Sequence, residues 1–203
     1  MYRRTATEEI IQEVLKDDYI RLDVVQYTIT ESVGPAPCEV AVQLRRQEVS
    51  ADPLTISGQG VGFVDALYTG LVDFYAAEYP SLGTIAFIGF EVDANMRSTK
   101  HQGADAECTV SLVVKNTEER EFRFEESNRS LVAATLKVVV EAAEYFINSE
   151  RAYVQVYRAM CDARERQRPD LIERYTGWLA QLVTTTSYSE VIERIKSETG
   201  AHR

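Results

Sequence analysis

The sequence predicts an α+β protein: two pseudo-repeated strand-strand-strand-helix units with helices on one side of antiparallel sheets, plus N-terminal and C-terminal helices. Two observations carry this. The hydrophobic period switches from two to about 3.6 in the same order twice. And Cys38-Glu39-Val40-Ala41-Val42 is matched by Cys108-Thr109-Val110-Ser111-Leu112, 70 residues on. One such unit leaves an apolar sheet face that a single helix covers incompletely, whereas two units can share a core.

The elements follow in order. Thr5-Ala6-Thr7-Glu8 fits a capping box, in which a Thr hydroxyl and the Glu satisfy free backbone N–H groups. Ile10, Ile11, Val14 and Leu15 then form a helical stripe. From Tyr19, Ile20, Leu22 and Val24 alternate, extending to Tyr27 and Ile29. Gly34-Pro35-Ala36-Pro37 is a turn, since each Pro fixes φ and removes a donor. Cys38, Val40, Val42 and Leu44 make a half-buried strand, and Leu54-Thr55-Ile56 begins a third. A helix spans about Val64 to Glu78, stopped by Tyr79-Pro80.

The second unit repeats the pattern. Ile85, Phe87, Phe90 and Val92 mark a strand of ambiguous register near Gly89. Cys108, Val110, Leu112 and Val114 alternate, Phe122-Arg123-Phe124 is a third strand, and a helix runs from about Ser130 to Asn148. Tyr153, Val156, Tyr157, Met160 and Cys161 form a further stripe. Pro169 opens another helix, and Ser187 to Gly200 fits a last one. The expected organisation is an N-terminal helix (1–17), a duplicated region (18–148, units 18–82 and 83–148) and a helical extension (149–203).

Composition narrows the function. The chain has 203 residues and a formal net charge of −10, which disfavours both a phosphate-backbone binder and an anionic membrane surface. The apolar fraction of 45% suits a globular core rather than global disorder. No apolar run approaches the ~18 residues of a membrane span. The first residues lack the apolar core of a secretory signal. Three widely spaced cysteines, Cys38, Cys108 and Cys161, fit a reduced cytoplasmic chain.

Local chemistry is sparse. Gly60-Val61-Gly62 lies between a strand and a helix, where free N–H groups can meet an anion. Asp65 breaks a Gly-x-Gly-x-x-Gly pattern, and no Gly-Lys-Ser/Thr follows. The plainer role for these glycines is a tight turn with close helix–sheet contact. His101 and His202 have no Cys or His at metal-ligand spacing, and Asp105 with Glu107 gives too few oxygens for a hard cation. No cofactor is implied. The acidic positions from Glu118 to Glu126 and the basic ones from Arg164 to Arg168 read as solvated faces.

Four motifs in order carry a resemblance: Gly60-Val61-Gly62-Phe63-Val64-Asp65-Ala66-Leu67, Gly89-Phe90-Glu91-Val92-Asp93-Ala94, Gly103-Ala104-Asp105-Ala106-Glu107-Cys108 and Ala133-Ala134-Thr135-Leu136-Lys137. Together they resemble the C-terminal regulatory and dimerisation domain of the α-isopropylmalate synthase and citramalate synthase family, over about Asp18 to Asn148. Phe63 stands where that family has Pro, and Glu125-Glu126-Ser127 where it has glycines. The resemblance implies a homodimer that binds leucine, isoleucine or a related acid between the units. Gly60, Gly62, Val64, Asp65, Phe90, Ala94, Ala106 and Cys108 would then surround the ligand. The family's catalytic barrel takes ~250 residues, more than this chain holds, so the expectation is a non-catalytic chain. It would act alone, as the regulatory subunit of a separately encoded barrel, or as an adaptor that has lost the pocket.

Overall fold

The computed structural model describes residues 2–47, 52–94 and 107–184. Helix α1 (Tyr2–Leu15) leads into a first sheet of β1 (Leu22–Thr30), β2 (Cys38–Arg46) and β3 (Leu54–Gly60), then helix α2 (Phe63–Tyr75). A 3-10 turn at Pro80–Thr84 joins it to a second sheet of β4 (Ala86–Ala94), β5 (Cys108–Lys115) and β6 (Glu121–Asn128). Helices α3 (Leu131–Glu165) and α4 (Pro169–Leu182) follow. Both sheets are antiparallel meanders, ordered β1-β2-β3 and β4-β5-β6.

The duplication holds to the level of register. Val24 lies opposite Leu44, Tyr27 opposite Val42 and Ile29 opposite Val40. Phe87, Phe90 and Val92 lie opposite Val114, Leu112 and Val110 in the same way. The first strand of each sheet carries one extra residue at the equivalent place, Val25 in β1 and Ile88 in β4, where the register shifts. The bulge near Gly89 is why simple alternation leaves the register of β4 ambiguous.

The central strands are amphipathic. Val40, Val42 and Leu44, and Val110, Leu112 and Val114, turn inward and are buried. The outer faces are polar, as in the Thr109–Ser127 hydroxyl pair and in Arg123 bridging Glu91 and Glu125. These exposed ion pairs add little stability, because water screens them.

Helix α3 is the spine. The sequence reading ends it near Asn148, but it continues without a break to Glu165. No Gly or Pro interrupts it, and the polar Asn148-Ser149-Glu150 that suggests an end is buried. Asn148 takes a hydrogen bond from the Ile20 N–H and gives one to its carbonyl, as a neighbouring strand would. A Glu150 oxygen accepts from the Ser81 N–H. The bonds of Asn148 and Glu150 fix the segments that lead into each sheet. The lower half of α3 holds α1 and α4.

Two further differences are local. Helix α1 begins at Tyr2 and runs through Thr5–Glu8, so the expected capping box lies inside the helix. Pro169 opens α4 as expected. The helix expected from Ser187, like His101, Asp105 and Ala106, lies outside the described residues.

Candidate functional site

The glycine-rich stretch does two separate jobs. A Cβ on Gly58 would run into the Ala66 carbonyl oxygen, and one on Gly60 would lie 2.5 Å from the Ala66 nitrogen. These glycines let α2 lie directly on β3, and Gly70 completes the close approach from the helix side. Gly62 has open space around its Cα and serves as the N-cap of α2. It gives no side-chain cap. Asp65, in the first turn, instead accepts the Val61 N–H at 2.9 Å. The first N–H groups of α2 therefore lack a capping oxygen from Gly62.

Beside this helix start lies an open cleft of about 580 Å³, lined by Glu31, Gly62, Phe63, Val64, Asp65, Tyr68, Ile85, Ala86 and Phe87. It runs between the first unit's helix and the start of the second unit's edge strand. The Tyr68 and Phe87 rings, 4.5 Å apart between centroids, form an aromatic pair in its wall. The Tyr68 hydroxyl donates to the Leu82 carbonyl at 2.5 Å, and burial pushes its pKa well above the ordinary tyrosine value. That hydroxyl is thus a fixed, neutral strut. Glu31 and Asp65 are exposed and place two carboxyl groups on the lining.

Of the residues that sequence assigns to a ligand, Gly62, Val64 and Asp65 line this cleft, and Gly60 lies behind it in contact with α2. Phe90 lies three residues beyond Phe87 on β4 and is 45% exposed. Ala94 is opposite Cys108 in the β4–β5 register. Cys108 is buried, with its thiol donating to the Asn128 carbonyl at 3.1 Å. Sequence reasoning missed Glu31, Tyr68, Ile85, Ala86 and Phe87. Tyr68 and Phe87 read as core in their own units, and only the juxtaposition of the two units turns them toward a common space.

The equivalent helix start in the second unit is built differently. Ser130 caps α3 with its hydroxyl accepting the Ala133 N–H at 3.3 Å, and the Asn128 side chain accepts the Ser130 N–H. Glu126 and Asn128 occupy the register positions of Gly58 and Gly60.

Among the described residues, no three His, Cys, Asp or Glu side chains group as a metal site. No described helix is long and apolar enough to cross a membrane. No family model matches the chain, and no curated protein is similar to it.

Proposed function

We propose that the chain is a regulatory domain that binds a small apolar α-amino acid in the cleft between Gly62 and Phe87. The observation that carries this reading is the combination in one space of an apolar wall, two carboxyl groups and a helix start without a side-chain cap. An aliphatic side chain would lie on Val64, Ile85 and the Tyr68–Phe87 pair. Its ammonium would meet Asp65 and Glu31, and its carboxylate the Phe63 and Val64 N–H groups at the positive end of α2. A 2-oxo acid keeps the carboxylate but has no ammonium to answer the two acids, so it binds more weakly.

Thermal unfolding with leucine, isoleucine, valine and their 2-oxo acids tests this. An amino acid at ~100 times its dissociation constant stabilises the fold by about 2.7 kcal/mol, a visible rise in Tm. Asp65→Asn should reduce the rise. No shift with any of the six compounds would overturn the reading and favour an adaptor.

The same chain is proposed to form a homodimer. Val25, Tyr27, Ile88, Phe90 and Val92 are large, apolar and 39–46% exposed, and all lie on β1 and β4, with Val25 matching Ile88 and Tyr27 matching Phe90 in the repeat. Such surface suits a twofold partner. Light scattering at micromolar concentration checks the mass. A monomer would turn attention to a separately encoded catalytic subunit as the covering partner.

A further inference from the structure

A second cleft, of about 590 Å³, lies where the end of α1, the segment after α2 and the lower half of α3 meet. It is at the opposite end of α2 from the Gly62 cleft, and the two share no lining residue. Its volume is in the range of small-molecule sites. Its walls are of two kinds. Leu15 and Tyr79, both buried, and half-buried Val154 give it an apolar side. Arg151 and Arg158, two turns apart on α3 with Gln155 between them, give it a polar side.

Arg151 is half-buried, yet among the described residues no carboxylate lies within ion-pair distance of it. Its Nη1 donates to the Asp18 carbonyl and lies 3.5 Å from the Asn148 side-chain oxygen, both neutral acceptors. Nε and Nη2, the edge with which a guanidinium takes a carboxylate side-on, have no partner among the described residues. Taking a cation partly out of water without an anion costs free energy. The bond to Asp18 does not require that charge, since a neutral amide gives the same bond. Gln155, one turn along, does so, holding the Val14 carbonyl at 3.3 Å.

We propose that this cleft binds a small aliphatic monocarboxylate, with its carboxylate paired side-on to Arg151 and its hydrocarbon part on Leu15, Val154 and Tyr79. The other charges limit what the ligand can carry. Arg158 adds a second cation at the exposed rim, while Asp18 and Glu78 are exposed carboxylates on the lining. Glu78 also accepts the Tyr79 hydroxyl at 2.6 Å. Two positive and two negative side chains leave the lining no net charge with which to draw in a doubly charged phosphate. One carboxylate matched to one half-buried guanidinium fits that balance. An amine of the same shape meets Arg151 as a like charge. The expected Kd is on the order of 1 mM, because such an acid has only about seven non-hydrogen atoms.

The test is isovalerate titrated into the whole chain, followed by NMR at the Arg151 Nε and at the methyl groups of Val154 and Val64. Saturable shifts are expected at Arg151 and Val154, with Val64, in the Gly62 cleft, unmoved. Leucine in that cleft would move Val64 instead, so the two sites are read separately. Arg151→Gln keeps an N–H for the Asp18 carbonyl but removes the charge, and should weaken isovalerate at least about tenfold. Should that variant fail to fold, Arg158→Gln at the exposed rim should weaken it about twofold, as expected for a solvent-screened charge. Isoamylamine and inorganic phosphate should leave Val154 unmoved. No saturable shift up to about 20 mM isovalerate would overturn the site, as would shifts at Val64 in place of Val154. So would phosphate or isoamylamine binding as tightly as isovalerate, or a folded Arg151→Gln with unchanged affinity.

Discussion

The two units share topology, register and even the position of a bulge, yet their helices meet their sheets by opposite means. In the first, α2 lies against bare backbone, because Gly58, Gly60 and Gly70 bring no side chains to the contact. In the second, α3 rides on an aromatic cluster of Phe122, Phe124, Tyr145 and Phe146, with ring centroids 5.2–5.7 Å apart. Ile56 and Phe124 are register equivalents, opposite Val42 and Leu112. The difference extends to the helix starts: the second is capped by Ser130, while the first has a cap without a side chain and a cleft beside it. One backbone plan therefore accommodates both a filled core and an accessible site, according to where the side-chain volume is placed.

The largest expected effect probes the filled unit. Phe124 is fully buried, and Phe124→Ala should cost about 3–5 kcal/mol in urea unfolding, from lost burial and the cavity left behind. A loss below about 1 kcal/mol would mean that the aromatic cluster collapses to close the gap, and that the two units are less different than their side chains suggest.

The next comparison sets the glycines against their counterparts. Gly58→Ala forces a Cβ into the backbone of α2 and should cost about 2–3 kcal/mol, since neither strand nor helix can yield cheaply. Glu126→Ala, at the equivalent position, should change stability by about 0.5 kcal/mol or less. Equal effects would break the distinction between backbone contact and side-chain filling.

The smallest effects concern the helix starts. Ser130→Ala should cost about 1 kcal/mol through loss of the cap to Ala133. Gly62→Ser should instead stabilise by a few tenths of a kcal/mol, because α2 gains a cap it lacks. If an amino acid binds at this start, the same substitution also weakens it, since the new hydroxyl occupies an N–H that the ligand would use. Calorimetric titration of Gly62→Ser beside the wild type separates the two consequences.

Much of the fold was legible because it rests on local periodicity. The alternation of Val40, Val42 and Leu44 needs no knowledge of the rest of the chain, and the match of Cys38 to Cys108 locates the second copy. The helix end expected near Asn148 fails because the partners of Asn148 and Glu150, Ile20 and Ser81, are 128 and 69 residues distant. A buried polar group looks in sequence like a solvated one until its partner is known. The cleft was half legible for the same reason. Gly62, Val64 and Asp65 share one helix start, whereas Glu31 and Phe87 reach it from other elements. The bulge at Ile88 also offsets β4, so counting along the strand does not show which phenylalanine lines the cleft.

The bond between Asn148 and Ile20 also sets a schedule for synthesis. The first sheet is translated early, but the residue that fastens its leading edge is made 128 residues later. At ~5–20 residues per second, that interval is on the order of ten seconds. Throughout it the start of β1 lacks the Asn148 bonds that later hold it. A nascent chain of this protein thus waits longer for that tie than its own hairpins take to form.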